Sequence, residues 1–168
     1  MAIATAARSP ERCSAVISES AQAYLDARIV EGVRIESTAP RTMGLERLAR
    51  YHGGQAEWVL DAWAETWTDP AFGGWSLRTD LAAIRCPALV IHGDEDEYAS
   101  TRHPELMHRL IPSQTRVGIV PSCGHIPHRQ KPSEVLALVG DFLPPEPAAE
   151  DRCRSSTSMS GTGNQVGR

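Results

Sequence analysis

The sequence predicts an α/β chain built on a short parallel sheet of about three strands flanked by helices. Three observations predict it. From residue 86 to residue 143, strand-like apolar runs alternate with helical stripes across short loops, the pattern of βα units. Residues 88–92 are apolar with no polar alternation, as in a strand covered on both faces. The polar clusters at 94–97 and 122–128 each follow a strand, where open parallel sheets carry their ligand chemistry.

Residues 1–11 are small and polar and are expected to be disordered. Residues 13–17 are a short apolar run and the first strand candidate, ended by Ser18, Glu19 and Ser20. Ala21, Tyr24, Leu25, Ile29, Val30 and Val33 make a helical stripe that Pro40 stops, because proline disfavours helical geometry at the preceding residue. Leu45, Leu48, Val59, Leu60, Trp63 and Trp67 recur at helical spacing, and Gly53-Gly54 splits them into two helices. Asp-Pro and Gly-Gly pairs make 68–74 a loop. Trp58, Trp63, Trp67 and nearby Trp75 read first as helix packing and second as the lining of a substrate pocket. Leu77, Leu81 and Ile84 mark a short helix closed by Pro87. The strand at 88–92 ends at Gly93. A helix follows over 103–111, a strand over 115–120, and a last helix over 132–142, stopped by Pro144. Residues 144–168 are poor in apolar side chains and rich in serine, and are expected to be a disordered tail.

A chain of 168 residues is long enough for one domain with a core. Its net charge is −4, from 17 basic and 21 acidic residues, and the arginines are scattered. With no concentrated basic face, nucleic acid and membrane surfaces are poor partners. The apolar runs are far shorter than the roughly 18 residues of a membrane span. No basic segment followed by an apolar stretch opens the chain, and the four cysteines form no CxxC pair. The expected setting is cytoplasmic, with no cofactor and no metal.

The run from Ile84 to Tyr98 (IRCPALVIHGDEDEY), Ile111-Pro112, Cys123-Gly-His-Ile-Pro-His128, Pro132 and Asp141-Phe-Leu143 resemble the C-terminal half of an α/β-hydrolase. The match covers roughly 12–143. It implies a partial α/β-hydrolase fold with a helical cap, about residues 21–76, inserted after the first strand. It also implies a catalytic acid on the Gly-x-x-Asp turn, at Asp96, and a catalytic base in Gly-His, at His125. Asp94 and Glu97 are the alternatives for the acid. In such a pair the carboxylate fixes the imidazole tautomer and the second ring nitrogen takes a proton from a serine. His92 is expected as a packed core histidine and His128 as a surface or supporting one. Glu97 and Tyr98 are expected to brace the acid loop.

The resemblance also says what to look for and not find. Family members carry the nucleophile on a Gly-x-Ser-x-Gly elbow upstream of the cap, and no such elbow occurs before Cys13. Ser76, in Gly74-Trp-Ser-Leu-Arg78, lacks the last glycine and lies after the cap. Ser9, Ser14, Ser18 and Ser20 lack elbow glycines. The expectation is a hydrolase-family chain, truncated or mis-started, that is inactive alone. Completed by an upstream segment, it would hydrolyse an ester, amide or carbon–carbon bond of a small-molecule substrate. The alternative is a non-catalytic remnant that binds a partner, or forms a homodimer, through an exposed sheet edge. Cys123, His125 and His128, with Asp94 and Asp96, include zinc-type donors but not in a common ligand spacing.

Overall fold

The computed structural model describes residues 1–38 and 41–143. In chain order the elements are α1 (Ala2–Arg8), β1 (Val16–Glu19), α2 (Ala27–Thr38), α3 (Arg41–His52), α4 (Ala56–Thr68), α5 (Arg78–Ala83), β2 (Ala88–Gly93), α6 (Arg102–Leu110), β3 (Thr115–Val120), α7 (Pro127–Gln130) and α8 (Pro132–Phe142). The three strands form one parallel sheet in the order β1-β2-β3. Val16 pairs with Ala88 and Gly93 with Val120, which places the three carboxyl ends side by side.

β2 explains its own composition. Every one of its residues is buried. Ala88 and Val90 face a cluster with Ile3 and Ala6 of α1, Leu81 of α5 and Leu106 and Met107 of α6. Leu89 and Ile91 face the opposite cluster, against Val135, Leu138, Val139 and Phe142 of α8. A strand between two strands and two helical layers has no polar face to show, so alternation disappears. A Cβ at Gly118 would meet the Leu138 side chain at 2.7 Å, so the absence of a side chain there lets α8 lie close on β3.

The cap is α2, α3 and α4, between β1 and the helix that precedes β2. Gly53, at φ +55, turns the chain between α3 and α4 through a short 3-10 turn, where the Gly-Gly pair anticipated a break.

The structure departs from expectation in four places. Residues 2–8 are not frayed: they form α1, with Ile3 and Ala6 buried against β1 and α5. The first strand is shifted to 16–19, because Val16 N–H bonds to Pro87 O and Ser20 N–H to Ile91 O. Residues 21–26 are not helical. Leu25 N–H bonds to Trp75 O and Leu77 N–H to Ala23 O, so tertiary partners replace a helical ladder. The tryptophans are not core: Trp58 is 69% exposed and the other three are part-exposed. The expected tail at 144–168 lies outside the described residues. No helix among the described residues is long and apolar enough to cross a membrane.

Candidate active site

The site is assembled by two loops at the carboxyl ends of β2 and β3. Gly93 ends β2. A Cβ there would run into the backbone carbonyls of Cys123 and Gly124, so only glycine lets the loop after β3 cross so close. The loops are then joined by backbone hydrogen bonds. Asp94 N–H donates to Val120 O at 3.1 Å and Glu95 N–H to Cys123 O at 2.9 Å. Cys123 N–H donates to Asp94 Oδ1 at 3.3 Å. Of the three acidic candidates, Asp94 is therefore a loop tie.

Asp96 is 1% exposed, and its carboxylate is fully used. Oδ1 accepts the N–H groups of Tyr98 at 2.8 Å and Ala99 at 3.0 Å. Oδ2 accepts His125 Nδ1–H at 2.8 Å. Burial pushes the Asp96 carboxyl up, but the hydrogen bonds from His125, Ala99 and Tyr98 and the nearby His125 charge outweigh it and hold it below its ordinary value. An ionised carboxylate only accepts, so the proton on this contact belongs to His125 Nδ1, and in the neutral ring the lone pair lies on Nε2. Burial pulls His125 down. The Asp96 hydrogen bond and charge, with Glu97 and Glu19, outweigh it and raise it above its ordinary value.

His125 is also braced. His125 N–H donates to Glu97 Oε2 at 3.1 Å, and the Tyr98 ring meets the imidazole edge-on at 4.9 Å. Gly124 N–H donates to Gln130 Oε1 at 2.6 Å. Glu97 thus supports the loop that carries His125. Tyr98 is pushed up to about 12 by burial and by the negative charges of Glu36, Glu97 and Asp96, so its phenol stays a donor.

Behind Asp96 lie two buried histidines. His92 Nε2 bonds to Ala99 O at 2.8 Å, so that nitrogen carries the proton, and it lies 3.6 Å from Asp96 Oδ2. His92 is buried, as expected, but it also pins the far end of the acid loop. His103 Nδ1 accepts Ala23 N–H at 3.1 Å, and its Nε2 lies 3.4 Å from Asp26 Oδ2. Burial lowers His103 despite the nearby Asp26 charge. Arg28 of α2 donates to Asp96 O and so ties the cap to the loop after β2, while His103 of α6 holds the segment that leads into α2. The sequence carried no signal for either, since each pairs with residues far along the chain. His128 is largely exposed and holds Glu19 at 2.9 Å.

His125 lines two adjoining cavities. One, of about 520 Å³, is bordered by Ile29, Val33, Trp63, Trp67 and Tyr98. The other, of about 560 Å³, is bordered by Ser20, Arg47, Arg50 and Tyr51. Cap helices therefore form the walls over His125. Ser20, set aside in the sequence for want of flanking glycines, sits at the end of β1 with φ +48. No group of three or more His, Cys, Asp or Glu side chains among the described residues is arranged to hold a metal ion.

The profile of the alpha/beta hydrolase family matches residues 2–138. The chain belongs to the alpha/beta hydrolase family. The human serine hydrolase BPHL is 28% identical over 153 residues, a match covering 84% of this chain and 50% of that protein. The chain thus spans about half the length of the curated relative it matches. Among solved structures, NosK from Streptomyces actuosus superposes with a TM-score of 0.63 at 23% identity, over 84% of this chain and 62% of that one. A meta-cleavage product hydrolase from Pseudomonas fluorescens superposes with a TM-score of 0.58 at 20% identity, over 84% and 59%. A membrane phospholipase A described as a bacterial virulence factor gives 0.64 at 22%, over 84% and 52%. At these identities the likeness speaks for the hydrolase fold alone.

Proposed function

We propose that Asp96 and His125 are the acid and base of a Ser-His-Asp triad. In this reading the whole protein hydrolyses an ester, amide or carbon–carbon bond of a small-molecule substrate. The observation that carries it is the 2.8 Å contact between buried Asp96 Oδ2 and His125 Nδ1, on a ring that lines both cavities. The chemistry follows from that geometry. His125 Nε2 takes the hydroxyl proton as serine attacks the substrate, and the imidazolium is stabilised by Asp96. The same proton then goes to the leaving group, and a second cycle with water releases the product.

The nucleophile and the oxyanion-binding amides come, in this proposal, from sequence upstream of residue 1. Among the described residues, no serine hydroxyl is hydrogen-bonded to His125. This chain alone is accordingly inactive. The test is a fluorophosphonate probe applied to this chain and to a form extended upstream. Labelling is expected at one serine of the extended form, lost in His125→Ala, with none on the chain alone. Labelling of this chain at Ser20 would overturn the proposal, as would an extended form that takes no probe.

A second reading rests on one observation. β1 pairs with β2 on one side, and its other edge has no strand partner among the described residues. Such an edge recruits strands, so the chain would self-associate or bind a partner there. Sedimentation velocity of the isolated chain decides this: a monomer across the micromolar range counts against it.

A further inference from the structure

The two cavities that share His125 differ in charge. The first has Glu36 and Glu97 on its wall against Arg47. The second has Arg47, Arg50 and Arg129 against one carboxylate, Glu19. That carboxylate is occupied. Its Oε1 accepts the His128 backbone N–H at 2.8 Å and lies 2.9 Å from His128 Nδ1. None of the three arginines has an ion-pair partner among the described residues. Three arginines without an ion-pair partner among the described residues thus line a space of about 560 Å³ beside the candidate base.

A second, independent feature lies in the same wall. Ser20 is 6% exposed, and its hydroxyl has no hydrogen-bond partner. Its backbone has φ +48, a conformation that side chains other than glycine rarely adopt. Buried hydroxyls are nearly always satisfied by protein, water or ligand. A buried hydroxyl without a partner, in a residue that lines the same cavity as the three arginines, fits an acceptor that arrives from outside.

We infer that this second cavity is a subsite for an oxyanion group of the substrate, a carboxylate or a phosphate, held by Arg47, Arg50, Arg129 and the Ser20 hydroxyl. Guanidinium groups match the planar, two-oxygen face of either anion. The bond to be cleaved then lies over His125, and the remainder of the substrate lies against Trp63 and Trp67 in the first cavity. The inference rests on the proposed hydrolase reading and adds the substrate class to it.

The test uses this chain and simple probes. Benzoate, inorganic phosphate and the neutral benzamide are titrated at low salt, and the ring signals of His125 and His128 are followed by NMR. Saturable shifts are expected with benzoate or phosphate, and the tighter of the two identifies the anion. Benzamide binds at least about tenfold more weakly. Ser20→Gly, which suits the backbone and removes the hydroxyl, and Arg50→Gln and Arg129→Gln on the surface, each weaken binding about fivefold or more. Physiological salt weakens it too, since the arginines are exposed. Equal binding of benzoate and benzamide, or binding indifferent to all three substitutions, overturns the subsite. Binding needs no nucleophile, so the two proposals fail separately. Anion binding by a chain whose extended form takes no fluorophosphonate overturns only the hydrolase reading. Labelling of the extended form without anion binding overturns only the subsite.

Discussion

β2 and the cap helix α4 are both rich in apolar side chains, and the fold treats them in opposite ways. All of β2 is buried, with Leu89, Val90 and Ile91 each at 1% exposure. In α4 only Ala56 is buried, and Trp58 is 69% exposed. The reason is the number of neighbours each can have. β2 has a strand on either side and a helical layer on either face. α4 packs against α2 and α3, and Trp63 and Trp67 turn to the cavity. Asp96, the proposed acid, thus follows directly on a fully buried strand, while the cap wall that faces the cavity is part-exposed. That division suits preorganised chemistry under an adaptable cover.

The sharpest way to break the comparison is at the acid. In an upstream-extended, active form, Asp96→Asn is expected to lower kcat by about 10³- to 10⁴-fold, as loss of the carboxylate does in such triads. Near-normal turnover in steady-state kinetics would remove Asp96 from the machinery.

Next comes the strand that carries it. Leu89→Ala is expected to destabilise the chain by about 2–5 kcal/mol, because a rigid two-sided environment collapses poorly around a deleted side chain. Urea denaturation measures it, and a cost below about 1 kcal/mol would mean that β2 is not the constrained region.

The acid–base contact has its own signature in pH. His125 is held above its ordinary 6.5, so its contribution to stability is complete below 6.5 and is lost as pH rises through the raised value. Asp96 is held below its ordinary 3.8, so its contribution is present above 3.8 and is lost as pH falls through the lowered value. The contact therefore stabilises most between about pH 4 and 6.5 and weakens above that window. An NMR titration of the His125 ring should give a midpoint above 6.5, falling in Asp96→Asn. A midpoint unmoved by that substitution would dissolve the pair.

The smallest effect belongs to the cap surface. Trp58→Ala is expected to change stability by no more than about 0.5 kcal/mol, since the ring is mostly in water already. A loss comparable to Leu89→Ala, measured the same way, would show that the cap is as tightly built as the sheet.

Much of this molecule was legible from local patterns. The unbroken apolar run of β2 and the glycine that ends it stand in the sequence itself, whereas Asp96 and His125 were singled out by the family resemblance of the Gly-x-x-Asp turn and the Gly-His pair. Burial on both faces removes alternation, while the reason for Gly93, the crossing of Cys123 and Gly124 from the next βα loop, is visible only in the fold. Periodicity likewise placed α8 and the break at Gly53-Gly54, because helix spacing and positive φ are local properties.

What escaped was settled by partners distant in the chain. Periodicity made 21–26 helical, but Trp75 and His103 take its backbone groups. Arg28 reaches Asp96 across 68 positions, and Glu19 reaches His128 across 109. Four tryptophans could be counted, but whether they filled a core or faced a cavity depended on how many layers would cover them. Composition and spacing select the elements and the residue types because those obey short-range sterics and burial. The pairing of Asp96 with His125, the charge of each cavity and the unpartnered Ser20 hydroxyl arise only when the three strand ends are brought side by side.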